Sequence, residues 1–458
     1  MNSAPPPGRK PPPPPATKKP PPPPAAKKPP RKSIQVHSTN FLKIGRSQVE
    51  PQDIPSDFVH VLESNRFVIE KLDPGLSFMD IEDVLQVNDI EIYKFLYNDI
   101  YFHKPHKLYF VLEKGNAGIH CVATSAHKDE NDGAHHVLIL SKTGYKPTKT
   151  SAKAVKRSKS QTKLKDLFTL GDSNAAAGYP PLINLKLCLP LPDSEWVEVD
   201  EQHEFLSKKL QHFETRLKFR HYKFGIVYVA PGQTEEDDFY LNQEFSPAFK
   251  TFLEQMGSVI SLQGHKGFKG GLDVKDNSTG EYSLYDKFYI TRDGFILSGH
   301  EKKTEGCIDM QIMYHVAPFL PHTDFEVQQL QKKRHIGNDI VVIIFKDGEQ
   351  PFPPETMTSQ FNHVFVVVTP WKNKSGAPVE HYKVTVTSKC GVKPWTPFLP
   401  DNGIIHFSNI RAFLLPKLIN AERAGMLSFE FAKKMERTID ATLRNFYKEW
   451  NEMKSKNK

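Results

Sequence analysis

The chain has 458 residues, 38% of them hydrophobic and 25% charged, which is enough for about two or three domains with buried cores. Its net charge of +8 comes from the first 32 residues, which hold eight lysines and arginines and no acid; the rest of the chain carries 53 basic and 53 acidic residues. This balance argues against a nucleic-acid-binding domain. The lack of any apolar run near the ~20 residues of a membrane helix argues against a transmembrane segment.

The four cysteines are scattered without metal-ligand spacing, and the N-terminus has no apolar signal region. We therefore expect a cytoplasmic protein without a disulfide framework or a metal site.

The N-terminal segment, residues 1–40, is predicted to be a disordered basic polyproline tail. It contains 15 of the 37 prolines and repeats PPPPPATKK as PPPPPAAKK. Such a segment buries no core and favours polyproline II. Arg9 stands three residues before a PxxP pattern, which suits a proline-recognition groove. Residues 9–30 thus predict docking to a cytoskeletal or signalling partner, with recruitment to the membrane or cell cortex. The alternative is a solvated spacer.

Residues 58–215 predict a smaller α/β region. Its first helix is expected at FMDIEDVLQ, followed by antiparallel strands at HKLYFVLEK, GIHCVATSA and HHVLILS and by a helix over 201–217. A basic stretch over 142–175 is predicted to be a flexible insertion. Its serines are either phosphorylation sites or part of a passive loop.

Residues 220–415 predict the main domain, an α/β fold with a mixed sheet flanked by helices. Strands are expected at KFGIVYV, SVISL, HVFVVVTP and HYKVTVTS and over 312–317 and 339–345, with a helix that Ser246 caps and Pro247 begins. Residues 421–454 predict one long amphipathic helix, whose apolar face covers either the N-terminal sheet or a second subunit.

The junction QLQKKRHIGNDIVVIIF, residues 329–345, is the most informative stretch. Thr323 and Glu326 suggest a capping box that begins a helix, with Phe325 and Leu330 facing inward. Gly337 suits the left-handed position after the helix.

Asn338 follows that glycine and precedes a run of six apolar residues, 340–345, typical of a strand buried on both faces. Its carboxamide is therefore held between two anchored elements. On local pattern alone, ordinary turn chemistry is the better explanation of this asparagine.

An ordered series of motifs then decides between these interpretations. It comprises KFGIVY, APGQTEED, NQEFSPAFKTFLEQMG, GHKGFKGGLD, TGEYSLY, IMYHVAPFLPHT, KRHIGND and FNHVFVVV. Residues 223–368, which carry them, resemble the GTPase-activating domain of the RapGAP family (Rap/Ran-GAP, tuberin-like proteins). Residues 85–141 are faintly similar to the dimerisation region of that family, which implies a homodimer.

The resemblance implies a GTPase-activating protein for a Rap-type small GTPase, with Rheb or Ral types as weaker candidates. The family inserts an asparagine thumb, which corresponds to Asn338, to orient the attacking water. By the same resemblance, His335 supports catalysis, and Lys333, Arg334 and Lys223 contact the GTPase. The alternatives are a structural histidine at 335 and a solvated charge run at 332–334. No cofactor is implied, because GTP and Mg²⁺ belong to the partner.

Two further expectations come from comparison with the family pattern. The glycine-rich GHKGFKGGLD lacks phosphate-loop patterns and is interpreted as a loop near the active face. The stretch near 288–309 is an insertion, expected to form a surface loop or extended hairpin. The competing functional hypothesis is a non-enzymatic GTPase-binding scaffold recruited through the polyproline tail.

Overall fold

The computed structural model describes residues 59–70, 97–116, 118–129, 133–150, 179–191, 193–199, 203–217, 220–290, 296–298, 307–371, 381–400 and 403–456. Its strands are β1 (Phe67–Ile69), β2 (His106–Leu112), β3 (Ile119–Lys128), β4 (His135–Ser141), β5 (Gly144–Lys149), β6 (Glu195–Glu198), β7 (His221–Val229), β8 (Ser258–Ser261), β9 (Tyr282–Ile290), β10 (Ile296–Ser298), β11 (Ile308–Val316), β12 (Val341–Lys346), β13 (Val364–Trp371), β14 (His381–Lys389) and β15 (Ile404–His406). Its α-helices are α1 (Leu182–Cys188), α2 (His203–Leu217), α3 (Glu236–Leu241), α4 (Pro247–Met256), α5 (Leu330–Ile336), α6 (Ile410–Met426) and α7 (Phe429–Lys456).

The larger sheet is mixed, as predicted. Its strand order is β1-β14-β13-β12-β7-β11-β9-β10, with β15 beside β14 and β8 beside β9. The four central strands β13, β12, β7 and β11 run parallel to one another, and the outer pairs are antiparallel. Strand β12 lies between β13 and β7 and is buried along its whole length, which confirms the strand predicted from the apolar run.

Apolar cores cover both faces of this sheet. One face packs against α4 and α6, with Phe249, Phe252, Phe413 and Leu418 among the buried side chains. The other face includes Phe239 of α3 and Ile336 of α5. The predicted cap of α4 is confirmed, because the Ser246 side chain accepts a hydrogen bond from the backbone N–H of Phe249.

The smaller sheet is antiparallel, in the order β5-β4-β3-β2-β6. Helices α2 and α7 pack on one face and α1 on the other. The apolar face of α7 (Ile439, Leu443, Phe446 and Trp450) shares a core with β2 and β3. Of the two occupants that the sequence left open for this helix, its own N-terminal sheet is the observed one.

Three predicted boundaries are wrong. Strand β1, from the predicted N-terminal region, pairs with β14 of the larger sheet, since Phe67 fills an apolar position beside Phe365. The predicted insertion over 142–175 begins with an ordered strand, β5, which pairs with β4. Residues 421–426 end helix α6, which Pro416 does not break, and the amphipathic helix starts at Phe429.

In the stretch near 288–309, strand β9 pairs antiparallel with β10 and with β11, so that Ile290 lies opposite both Ile296 and Ile308. The described part therefore contains an antiparallel hairpin, one of the two expected forms; that the stretch is an insertion stays a prediction. The polyproline tail, the FMDIEDVLQ helix and residues 151–178 lie outside the described residues. Within the described ranges, no helix is long and apolar enough to cross a membrane.

Candidate functional site

Helix α5 has two turns and begins later than the sequence predicts. Thr323 and Glu326 do not start a helix; Gln329 precedes α5 in a left-handed conformation (φ 44°, ψ 54°). Phe325 and Leu330 point outward instead of inward. The reason is that the buried Gln329 amide takes the interior position, where it bonds both backbone groups of Thr323.

Asn338 lies one residue beyond the Gly337 that ends α5, and it is exposed. Its backbone N–H donates to the carbonyl of His335, at 3.1 Å. Its side-chain Nδ2 donates to the carbonyl of Arg334, at 2.7 Å. The carboxamide thus satisfies one of the carbonyls left open at a helix end, and its Oδ1 contacts no donor among the described residues.

The prediction of a left-handed conformation for Gly337 is wrong. This residue has right-handed helical backbone angles (φ −66°, ψ −15°). A Cβ on this residue would lie 2.5 Å from the carbonyl oxygen of Lys333, which accepts the Gly337 N–H at 2.7 Å. Glycine is therefore required by the close approach of the chain to the last helical turn and not by its φ angle.

Side chains from outside the helix hold the peptides around Asn338. Ser359 Oγ donates to the Gly337 carbonyl, and Asn362 Nδ2 donates to the carbonyls of Ile336 and Asp339 at 3.0 and 2.6 Å. Lys223 Nζ donates to the carbonyl of Asn338 itself, at 2.5 Å. The backbone of the junction is thus fixed on both sides of Asn338.

A buried polar network lies under the junction. Asp339, which is fully buried, accepts from Lys223 Nζ at 2.7 Å through Oδ1 and contacts Nδ1 of His315 at 2.8 Å through Oδ2. The Nε2 of His315 lies 3.0 Å from the Gly270 carbonyl and must donate to it, since a carbonyl only accepts. A proton therefore lies between Nδ1 and Oδ2.

This network explains two sequence motifs. Gly225 of KFG leaves room for Asp339 and Ile336, each of which would lie 3.3 Å from a Cβ at that position. Gly270 of GHKGFKGGLD, which has a positive φ of 61°, reaches the site through His315. The interpretation of that glycine-rich segment as a loop near the active face is consistent with this contact.

His335 is half-buried and its ring lies edge-on to His315, with centroids 5.6 Å apart. Burial lowers the pKa of His335 below 6.5, and the positive charges of Arg334 and Lys223 and the neighbouring His315 lower it further, against the effect of Asp339. A neutral imidazole packed on His315 fits a supporting role for His335.

Glu422 of α6 is a member of the site that the sequence did not reveal. Burial raises its pKa to about 8; repulsion from Asp339 adds to this rise, and Lys223 opposes it. Its Oε2 atom is buried and has no hydrogen-bond partner among the residues that the structure describes. Helix α6 thus places an acid, held largely in its neutral form at pH 7, next to the Lys223–Asp339 pair.

The basic residues of the last helical turn differ in their surroundings. Lys333 forms ion pairs with Asp237 at 2.6 Å and Glu236 at 3.3 Å, both on α3. Arg334 is exposed and has no carboxylate within ion-pair distance among the described residues. Of the three bases predicted to contact a GTPase, Lys223 and Lys333 are therefore bound within the protein, and Arg334 faces solvent.

Arg334 and Asn338 are exposed at the end of helix α5. Surface cavities of about 640 and 530 Å³ lie against α2, and none of the site residues lines them. Within the described part of the chain, no group of three His, Cys, Asp or Glu side chains is placed to hold a metal ion.

Several known proteins are similar to the part of the chain that carries this site. Residues 239–440 match the family model described as Rap/ran-GAP. A GTPase-activating protein of Dictyostelium discoideum is 38% identical over 281 residues, which cover 59% of this chain and 24% of that protein. RapA guanosine triphosphatase-activating protein 1 of the same organism is 30% identical, over 71% of this chain and 32% of that protein.

Human signal-induced proliferation-associated protein 1 is 38% identical, over 47% of this chain and 19% of that protein. The solved structure of the TSC2 GAP domain is 28% identical and has a TM-score of 0.36, with 45% of this chain and 97% of that chain covered. The chain spans about a quarter of the length of the curated relatives it matches. Residues 239–440, which contain helix α5 and Asn338, are thus matched by the Rap/ran-GAP family model, and the relatives include GTPase-activating Rap/Ran-GAP domain-like protein 3.

Proposed function

We propose that the protein accelerates GTP hydrolysis by a small GTPase of the Rap type, and that Asn338 is the residue it inserts into the partner's nucleotide site. One observation carries the proposal: an exposed carboxamide stands at the end of a short helix while its backbone is held by Lys223, Ser359 and Asn362. The name of the RapA-activating relative supports the choice of substrate.

The chemistry needs a positioned water. Small GTPases hydrolyse GTP slowly because the attacking water is poorly oriented and the charge that develops on the phosphate is poorly stabilised. The Oδ1 of Asn338 accepts a hydrogen bond from that water, while one Nδ2 hydrogen stays on the Arg334 carbonyl and the other remains available as a donor. The thumb therefore supplies geometry without requiring a new backbone conformation.

The surrounding residues take different roles in this proposal. Arg334, exposed beside Asn338, contacts the phosphates or the acidic face of the GTPase. Lys223, Lys333 and His335 act by positioning: Lys223 holds the Asn338 carbonyl, Lys333 ties α5 to α3, and His335 packs on His315. The nucleotide and Mg²⁺ are supplied by the GTPase.

The decisive experiment is single-turnover GTP hydrolysis on purified Rap, Rheb and Ral GTPases with the full chain in excess. We expect acceleration of up to about 10⁵-fold on the Rap type, within the range of activators that insert a residue in trans. No acceleration on any of the three, together with binding to one of them, would favour the scaffold hypothesis. A stronger effect on Rheb or Ral would overturn the Rap assignment.

We also propose a homodimer, although α7 does not argue for it, because its apolar face is already covered by β2 and β3. Light scattering across micromolar concentrations tests the dimer. A monomer throughout that range would remove it. We propose in addition that the protein is cytoplasmic and that residues 9–30 bind a proline-recognition protein.

A further inference from the structure

The segment before the catalytic helix exposes an apolar surface, which we call the 323–330 surface. Phe325 is fully exposed, and Val327 and Leu330 are 61% and 57% exposed. Single exposed apolar residues are ordinary, but three within six positions, beside a functional helix, indicate an interaction site.

The outward position of these side chains is built into the loop. Gln329, only 1% exposed, accepts from the backbone N–H of Thr323 and donates to the carbonyls of Thr323 and Glu326. Glu326 Oε1 in turn accepts from the Leu330 N–H, at 3.2 Å. A polar side chain therefore fills the interior of the loop while apolar ones face solvent, the reverse of the usual arrangement.

Backbone strain accompanies this arrangement. Phe325 and Gln329 have φ angles of 66° and 44°, a region that non-glycine residues rarely occupy. Such conformations persist where the surroundings enforce them, and they are concentrated at functional sites. Here the hydrogen bonds of the Gln329 side chain stabilise the strained backbone of the loop.

The 323–330 surface is continuous with the face that carries Asn338. Leu330, Arg334 and Asn338 follow one another at four-residue spacing, and all three are exposed. Asn338 follows Leu330 by eight positions, through helix α5 and the helical Gly337, so a rise of 1.5 Å per residue places them about 12 Å apart along the helix axis. An ordinary interface buries about 800 Å² on each partner, a patch of about 16 Å radius. Any partner centred on Asn338 therefore covers Leu330 as well.

We propose that the 323–330 surface docks against an apolar patch beside the nucleotide site of the GTPase and sets the affinity of the encounter. The inference rests on the proposed function. A second copy of this chain is a poorer occupant, because it would also cover Arg334 and Asn338 and keep the thumb from its target.

The test compares Leu330→Ala and Val327→Ala with matched controls. Leu187→Ala changes a leucine that is 44% exposed on α1, and Val259→Ala changes a valine that is 52% exposed on β8. Single-turnover GTP hydrolysis is followed at increasing concentrations of full chain. We expect each surface variant to raise the half-saturating concentration by about tenfold with an unchanged maximal rate, and both controls to behave as the parent.

The outcomes separate the two proposals. If the parent stimulates hydrolysis and Leu330→Ala reaches half-saturation at the same concentration, the docking role of the 323–330 surface is refuted and the proposed function stands. If no stimulation occurs, binding of the chain to the GTPase loaded with a non-hydrolysable GTP analogue becomes the readout. Weaker binding by the surface variants, with unchanged binding by the two controls, would then support docking through the 323–330 surface. No binding by the parent would overturn both proposals. A change in oligomeric state of the variants would assign the surface to a second copy.

Discussion

Replacing Asn338 by alanine separates catalysis from stability. The side chain makes one hydrogen bond within the protein, from Nδ2 to the Arg334 carbonyl, and it does so at an exposed position. Its loss lowers the free energy of unfolding by about 0.5–1.5 kcal/mol. The neighbouring peptides keep their bonds from Lys223, Ser359 and Asn362, none of which involves the Asn338 side chain. We expect the thermal midpoint to fall by about 2–4 °C at most.

The effect on hydrolysis should be much larger. One group that orients the reacting atoms contributes about 10²–10³ in rate, and a residue supplied in trans up to about 10⁵. With Asn338→Ala we expect the stimulated rate to fall at least about 100-fold, while the half-saturating concentration changes less than about threefold. The assay is single-turnover phosphate release from GTP-loaded GTPase with the chain in excess.

Two further variants sharpen the result. Gln331→Ala removes an exposed side chain from the same helix and should leave the rate unchanged. Asn338→Asp keeps the size of the side chain but replaces the donor with a negative charge facing phosphate, so it should be as inactive as Asn338→Ala. If Asn338→Ala retains full acceleration, the thumb assignment is refuted. If its unfolding transition is lost, the residue is structural.

The remaining predictions concern the support of the thumb. Lys223→Met removes one partner of the buried Asp339, so we expect the free energy of unfolding, measured in urea, to fall by about 1–3 kcal/mol. The maximal rate of stimulated hydrolysis should fall at an unchanged half-saturating concentration; an unchanged rate would show that the Asn338 carbonyl needs no anchor. Gly337→Ala brings a Cβ to 2.5 Å from the Lys333 carbonyl, so stimulation should drop more than about tenfold; normal activity would contradict that contact. Glu422 binds a proton up to about pH 8 when folded but only to about 4.5 when unfolded, so stability should fall as pH rises between these values, by up to about 1.4 kcal/mol per unit. Urea unfolding at pH 5 and pH 8 should show a smaller fall for Glu422→Gln, and an equal fall would contradict the burial of this acid.

Much of the candidate site follows from sequence because its signals are local. Ser246 and Pro247 specify a helix start through one backbone hydrogen bond and one fixed φ. The apolar run before Lys346 specifies a central strand because only a strand covered on both faces tolerates it. Asn338 lies between the helix and the strand as predicted, since both of its neighbours are determined by short-range patterns.

The failures come from side-chain hydrogen bonds that no helix or strand pattern contains and from contacts between distant segments. Gln329 displaces the predicted capping box because its amide bonds Thr323, a pairing that no helix pattern contains. His315, Asn362 and Glu422 join the site from three other elements. Polar residues at the edge of apolar runs, in YHV and FNHVF, were the available signal for the first two. Glu422 gave none, since it reads as one charge on a helix.

If Asn338 is the inserted residue, as we propose, the division of bonds around it explains why an amide suits that role. The open carbonyls of a helix end repel phosphate, and basic residues in the last turn offset that repulsion. Lys333 forms an ion pair with Asp237 of α3, so Arg334 is the residue of this turn that presents a positive charge at the surface. A neutral carboxamide then approaches the γ-phosphate with a small desolvation cost, and it can donate and accept at once. Because Lys223 and Ser359 already fix the backbone, little conformational entropy is lost when the side chain engages the water. Charge and geometry are thus assigned to neighbouring residues, Arg334 and Asn338, on one helix end.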